Sequence, residues 1–389
     1  MIVRILRHIG SIRHNIANQI LQTDSGTTDK INAKRLFCGF DSLDLSQGGI
    51  ARVGRLIYRT LADPPTGLSI ETDAAVYRDQ THHGIGSGRV SCAGLSKWRY
   101  LLAVNRAGLD HSHFFYDFLG MARAHGGLPR LMHRPYTCFV HGIEAWPGPW
   151  ARPDRLRAAQ RATMLIANSQ FTIARASEWD PTFARAKCCW LATETDDAPD
   201  LLPINNGPPR VLILGRLEEG LKGHQELMAC WPKVLSAVPD AVLTIVGRGP
   251  RLDEFRKLAA DSGADAQIEF RGFVSEDELP QLWQRTTAFA MPGRGEGFGL
   301  TYIEAMRYGI PVLASVHDAG SEINVDGVTG YNVNLNRADE LPDRLIQLLR
   351  NRDQSAALGE NGRQRWSDHF RFSAFRKRIV PVLREFLGC

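Results

Sequence analysis

A chain of 389 residues exceeds what one core usually serves, so two domains of about 150 to 200 residues are expected, and 43% hydrophobic with 23% charged residues excludes a disordered or fibrous protein. The net charge of +5 is uneven: residues 1–200 hold 24 Lys+Arg against 18 Asp+Glu, residues 201–389 hold 23 against 24, so either an anionic partner or a plain solvated surface belongs to the first half. No apolar run approaches the ~20 residues that cross a bilayer, and seven cysteines with no CxxC pair read as reduced thiols rather than a disulfide framework.

Residues 1–23 alternate Arg and His with Ile and Leu and lack the apolar core and cleavage site of a signal peptide, so a cytoplasmic location is expected. Residues 1–30 fit no element beyond an appended helix. A strand is predicted over 35–40, then a loop through Gln47-Gly48-Gly49 and a helix over 50–61. That helix puts Ile50, Val53, Ile57 and Leu61 on one face and Arg52, Arg55 and Arg59 on another. The arginines read as solvated, or, with Lys97-Trp98-Arg99-Tyr100 and the basic stretch 130–134, as a surface for acidic lipid. His82, His83, His111 and His113 lack the Cys or carboxylate spacing of a metal site, and the glycines of 84–88 read as a loop. Strands follow over 113–116, 137–140 and 164–167, with His141-Gly142-Ile143-Glu144 at the end of the second. Residues 195–209, rich in Pro, Asp and Asn, read as the linker.

From Arg210 onward short apolar runs alternate with helical stretches, the pattern of βαβ units around a parallel sheet. Strands are predicted over 211–215, 241–247, 267–270, 288–291, 311–315 and 331–335, with helices over 224–238, 251–262, 279–285 and 300–308. Residues 367–387 carry aromatic and aliphatic side chains at helical spacing and predict one closing helix. The domains are therefore expected at 1–200, 201–366 and a closing element at 367–389.

The chemistry concentrates at Gly293-Arg-Gly-Glu296-Gly297-Phe298-Gly299-Leu300-Thr-Tyr-Ile-Glu304. A strand ends, a glycine-rich loop follows and a helix opens near Leu300, so free backbone N–H groups and a positive helix end face the strand tips, where a diphosphate fits. Glu304, inside the helix, can accept hydrogen bonds from two ribose hydroxyls, and Glu296, eight residues earlier, from sugar hydroxyls.

These residues resemble the paired glutamates of the retaining GT-B glycosyltransferases, in particular family 4, over about residues 210–331 and weakly over the first half. The resemblance implies an α/β GT-B fold, two Rossmann-like domains facing across a cleft. It places Glu296 at the donor sugar and Glu304 at the ribose. Gly215-Arg216-Leu-Glu-Glu-Gly-Leu-Lys222-Gly resembles the family loop whose arginine and lysine neutralise the diphosphate, and fixed cations there stabilise the charge of a leaving nucleoside diphosphate. It is not a P-loop, because Leu221 follows Gly220. Gly48 and Gly49 resemble the first glycine loop, and His141 the histidine beside the donor sugar. Gly247 reads as a turn near the nucleotide, and Phe273 is the donor-binding candidate on the next loop. Gly320-Ser-Glu322 and the turn 326–330 also match, whereas Ala192-Thr193-Glu194-Thr195 departs from the family's turn there.

The expected activity is retaining transfer of a hexose to the hydroxyl of a saccharide or lipid-linked acceptor in surface polysaccharide assembly. GDP-mannose is the leading donor and UDP-glucose or another UDP-sugar the alternative. His141, Arg216, Lys222 and Glu296 are the candidate catalytic residues. No metal or other cofactor is expected, because Arg216, Lys222 and the helix end supply positive charge. A nicotinamide dehydrogenase is disfavoured by the missing third glycine after Gly247 and Gly249. A non-catalytic assembly partner is disfavoured by the intact charged set, and nucleic-acid binding by the lack of aromatics interleaved with the basic residues.

Overall fold

The computed structural model describes residues 34–45, 47–64, 68, 70–82, 88–200, 207–218 and 221–389. Residues 1–30, His83, most of the glycine loop at 84–88 and part of the linker therefore lie outside the described residues.

Seven parallel strands build the first sheet: β1 (Lys34–Phe40), β2 (Ile70–Val76), β3 (Val90–Cys92), β4 (His113–Tyr116), β5 (Tyr136–Val140), β6 (Met164–Ala167) and β7 (Lys187–Cys188). Their order is β3-β2-β1-β4-β5-β6-β7. Helices α1 (Gly49–Ala62), α2 (Lys97–Asp110), α3 (Pro153–Arg161) and α4 (Gln170–Ser177) connect them. The second sheet holds β8 (Arg210–Leu214), β9 (Val242–Val246), β10 (Ile268–Gly272), β11 (Ala288–Ala290), β12 (Val312–Ser315) and β13 (Gly330–Val333), in the order β10-β9-β8-β11-β12-β13. Its helices are α5 (His224–Ala237), α6 (Leu252–Asp261), α7 (Leu279–Gln284) and α8 (Leu300–Arg307), followed by α9 (Glu340–Arg350), α10 (Arg352–His369) and α11 (Phe372–Leu387).

Strands covered by helices on both faces need unbroken apolar runs, and Val211, Leu212 and Ile213 of β8 are all 0% exposed. In each sheet the order reverses beside the first strand, at β1/β4 and at β8/β11. Such a reversal opens a crevice beyond the strand C-termini, where α/β proteins place ligands. The loops after β1, β8 and β11 carry most of the sequence candidates, and those after β5, β9 and β10 carry His141, Gly247 and Phe273.

Two expectations about helices change. The closing segment is two helices, α10 and α11, broken at Phe370-Arg371, and Ser367 belongs to the first. The break lets α11 turn back to the first sheet, where Phe386 meets the His113 ring at 5.2 Å and Arg376 pairs with Asp63 at 3.1 Å. The arginine face of α1 is neither solvated nor free for lipid. Arg55 is 5% exposed and its Nε reaches both Glu194 oxygens, at 3.0 and 2.9 Å. Arg59 donates to the Glu194 carbonyl and lies over the Phe372 ring at 4.4 Å. Glu194, where the chain departs from the family's turn, is the anchor that draws this face inward.

Candidate active site

Two helices of the first domain begin on side-chain caps: Ser96 accepts from the Arg99 N–H of α2 at 3.3 Å, and Ser169 from the Thr172 N–H of α4 at 3.0 Å. The three helices that open toward the cleft, α1, α5 and α8, begin instead on Gly48, Gly223 and Gly299 with no side-chain cap. Uncapped first-turn N–H groups are donors for a ligand anion, reinforced by the helix dipole. A Cβ on Gly48 would meet nothing within 4 Å, so that position leaves space on the cavity side.

Gly223 sits at φ +89°, and a side chain there would strike the Pro292 carbonyl. That close approach lays the Lys222 loop on the loop after β11, where the Leu221 carbonyl accepts from the Arg294 and Gly295 N–H groups, each at 3.1 Å. Lys222 Nζ consequently forms an ion pair with Glu296. Arg216 stands apart: its side chain is 79% exposed and pairs with Glu218 at 2.5 Å.

The Glu296 backbone is held by Asp318. The Glu296 N–H donates to Asp318 Oδ2 at 3.2 Å, the Gly320 N–H donates to Oδ1 at 2.9 Å, and the Ala319 N–H donates to the Glu296 carbonyl at 3.0 Å. Asp318 is 0% exposed. Burial, with the neighbouring Glu296 charge adding, pushes its carboxyl up to about 8. Glu304, one turn into α8, pairs with Arg52 of α1.

From the first domain comes His141, whose Nε2 lies 2.6 Å from the Asp117 carbonyl. A carbonyl only accepts, so the neutral ring carries its proton on Nε2 and keeps Nδ1 as an acceptor. Its backbone N–H donates to Glu144 at 2.7 Å, and its ring stacks on Phe139 at 5.5 Å.

The domains meet through Gly297. A Cβ there would strike the His141 carbonyl, while the Gly297 carbonyl accepts from Ser169 Oγ at 2.8 Å and Thr172 Oγ1 at 3.1 Å. Glu322 adds a clamp, accepting from the Gln170 and Phe171 N–H groups at 3.0 and 2.9 Å and from Trp190 Nε1 at 2.5 Å.

Between the domains lies a cavity of about 860 Å³, a volume suited to a small-molecule ligand. Gly48, Gly49, His141, Gly215, Arg216, Lys222, Gly247, Phe273, Glu296, Phe298, Gly299, Leu300 and Glu304 all border it; Gly297 does not, being taken up by the seam. Arg52, Arg78, Asn168 and Thr301 border it too and were missed from the sequence, as was Asp318 behind the wall. Arg52 carried one usable signal, its place in the first turn after Gly48-Gly49. Asp318 carried none.

A family model described as glycosyl transferases group 1 matches residues 194–365. Over 183 residues the chain is 34% identical to the GDP-mannose-dependent alpha-(1-6)-phosphatidylinositol monomannoside mannosyltransferase of Mycobacterium tuberculosis, covering 45% of this chain and 47% of that one. Over 152 residues it is 36% identical to the phosphatidyl-myo-inositol mannosyltransferase of Mycolicibacterium smegmatis, covering 38% of this chain and 39% of that one. The chain thus spans about half the length, or less, of these curated relatives. Among solved structures, Anabaena HepE in complex with UDP and glucose superposes with TM-score 0.73 at 18% identity, over 90% of this chain and 100% of that one. The sucrose-phosphate synthase of Thermosynechococcus elongatus does so with TM-score 0.75 at 18% identity, over 91% and 99%. These likenesses carry the fold, two Rossmann-like domains facing across a cleft in the GT-B arrangement.

Proposed function

We propose, on the strength of the match of residues 194–365 to the glycosyl transferases group 1 model, that this chain moves a mannosyl residue from GDP-mannose to a hydroxyl of a lipid-linked saccharide with retention of configuration. The observation that carries the reading is the interdomain cavity bordered by Glu296, Glu304 and the uncapped starts of α1 and α8. The mannosyltransferase relatives support the choice of donor.

In this reading the diphosphate lies against the helix starts and Lys222, with Arg216 swinging in from its exposed position. Glu304 exchanges Arg52 for the ribose hydroxyls, and Glu296 holds sugar hydroxyls. His141 Nδ1 accepts from a hydroxyl near the reacting carbon. The bond from the anomeric carbon to the diphosphate oxygen breaks and leaves its electron pair on that oxygen. The acceptor hydroxyl attacks from the same face, and its proton passes to the departing phosphate. Fixed cations beside that oxygen stabilise the charge as it develops, so a metal ion is not needed.

The test is incubation with GDP-mannose or UDP-glucose and a lipid-linked mannoside, following nucleotide release and the anomeric configuration of the product. An α-mannoside formed from GDP-mannose, with activity surviving a chelator, is the expected result. Transfer from UDP-glucose alone overturns the donor, and a β-linked product overturns retention.

Membrane association belongs to the same proposal. No helix among the described residues is long and apolar enough to cross a membrane. On α2, however, Trp98, Leu102 and Leu109 are 82%, 58% and 67% exposed, and the nearby Leu131 is 92% exposed. Lys97, Arg99, Arg106 and Arg130 are exposed around them. Apolar side chains ringed by cations match the interface of an acidic bilayer, where a lipid-linked acceptor resides.

A further inference from the structure

A second cavity, about 1050 Å³, lies on the other side of the donor-site wall. On each of three loops neighbouring residues face the two spaces: Leu221 borders the second and Lys222 the first, Arg294 the second and Glu296 the first, Ile143 the second and His141 the first. An occupant of the second cavity therefore touches the loops that hold the candidate catalytic groups.

Its first-domain side includes the run Trp146-Pro147-Gly148-Pro149-Trp150, all of which border it. Trp146 is 7% exposed and braced edge-on by Phe171 at 5.6 Å between ring centres. Its buried Nε1 has no hydrogen-bond partner in the protein. Trp150 is 54% exposed. Two prolines restrict the backbone between the rings, so this is an aromatic surface whose ordering cost is largely met before binding.

The charged lining is balanced, with Arg175, Arg251 and Arg294 against Glu178, Glu218 and Glu254. Arg175 pairs with Glu178 at 2.5 Å, and Arg251 pairs with Glu254. A phosphate or carboxylate would find two of the three cations, Arg175 and Arg251, already paired with carboxylates, and Arg294 donating to Asn336 Oδ1 at 2.8 Å. A neutral polyhydroxylated ring finds apolar area on the tryptophan face and both donors and acceptors in the arginine–glutamate pairs.

We propose that this cavity holds the saccharide portion of the acceptor, a pyranose ring lying on Trp150 with its hydroxyls bridged by Arg175 and Glu178. The assignment of the occupant as acceptor rests on the transfer reading above. A lipid-borne acceptor then presents its glycan rather than its headgroup phosphate here.

The test is titration of the full chain, saturated with GDP, with α-(1→6)-mannobiose, read by tryptophan fluorescence and saturation-transfer NMR. Saturable binding that is insensitive to salt is expected. Trp150→Ala should weaken it by about tenfold or more, about 1.4 kcal/mol, with Trp150→Phe restoring much of the loss. Glu178→Gln, at an exposed side chain, should weaken it too and stands in if Trp150→Ala does not fold. GDP binding without saturable mannobiose binding, equal affinity in Trp150→Ala and Glu178→Gln, or binding that salt abolishes would each overturn the proposal. Mannobiose binding in a protein that binds no GDP would overturn the donor assignment instead and leave this cavity as a saccharide site.

Discussion

Arg52 of α1 and Glu304 of α8, from opposite domains, form an ion pair across the cleft, with side chains 27% and 15% exposed. Burial lowers the Arg52 pKa more than its neighbouring carboxylates raise it, so the cation gains from any further negative charge brought beside it. In the proposed donor complex a nucleoside diphosphate brings such charge while its ribose takes over Glu304. Glu304→Ala is accordingly expected to weaken GDP-mannose binding by about tenfold or more, about 1.4 kcal/mol, in a calorimetric titration. Unchanged affinity would remove Glu304 from the ribose.

Lys222 and Glu296 should behave differently, because the proposed reaction puts them where charge changes. Replacing Lys222 by Met removes the cation proposed to face the leaving oxygen, an effect that in comparable sites costs about 100- to 1000-fold in kcat. The expected signature in single-turnover nucleotide release is a large fall in rate with a small change in donor affinity. A variant that binds donor poorly and turns over normally would make Lys222 a binding group only.

Asp318 gives the pH dependence. Its folded value of about 8 stands above the ordinary 3.8, so between those values the folded chain holds a proton that the unfolded chain has released. Stability should therefore fall as pH rises from about 4 to about 8 through this group. Glu296 and the buried Tyr302 hydroxyl face it and Lys222 opposes the shift, while Asp117 titrates in the same direction elsewhere. The difference between wild type and Asp318→Asn in denaturation midpoints across that window isolates Asp318. Parallel curves would remove it as the cause.

Glu322 accepts three hydrogen bonds from the first domain, and Glu322→Ala leaves two N–H groups at the start of α4 and one indole N–H without their acceptor. Hydrogen bonds to a charged group contribute about 1.5 to 3 kcal/mol each where buried, and less for the exposed one. A loss of several kcal/mol in denaturant unfolding is expected, together with a larger radius of gyration in solution scattering as the cleft loosens. Unaltered dimensions would show that the Gly297 seam suffices.

For the α2 surface, co-sedimentation with vesicles of phosphatidylcholine, with and without phosphatidylglycerol, is decisive. Binding should need the anionic lipid, weaken with salt, and be lost on replacing both Trp98 and Leu131 by Glu. Each basic residue at such a surface contributes about 1 kcal/mol. Retention of binding by the double variant would move the contact elsewhere.

Much of this protein is determined by short-range pattern. The second sheet could be read strand by strand because its central strands, such as residues 211–214 and Ala288–Ala290, are apolar runs beside a helix. The relation of Glu296 to Glu304 could be read because eight residues of one loop and one helix hold both. In the first half β2, β3, β7, α2, α3 and α4 went unread: polar residues interrupt Ile70–Val76, Val90–Cys92 is three residues long and Lys187–Cys188 two. The tertiary structure alone decided that Arg52 faces Glu304 rather than lipid, that Arg55 closes on Glu194, that Asp318 holds the Glu296 loop, and that α10 and α11 part at Phe370. Each depends on segments far apart in the chain meeting in a low-dielectric interior. There a charge takes its role from whichever partner is brought to it, and local spacing carries no record of that partner.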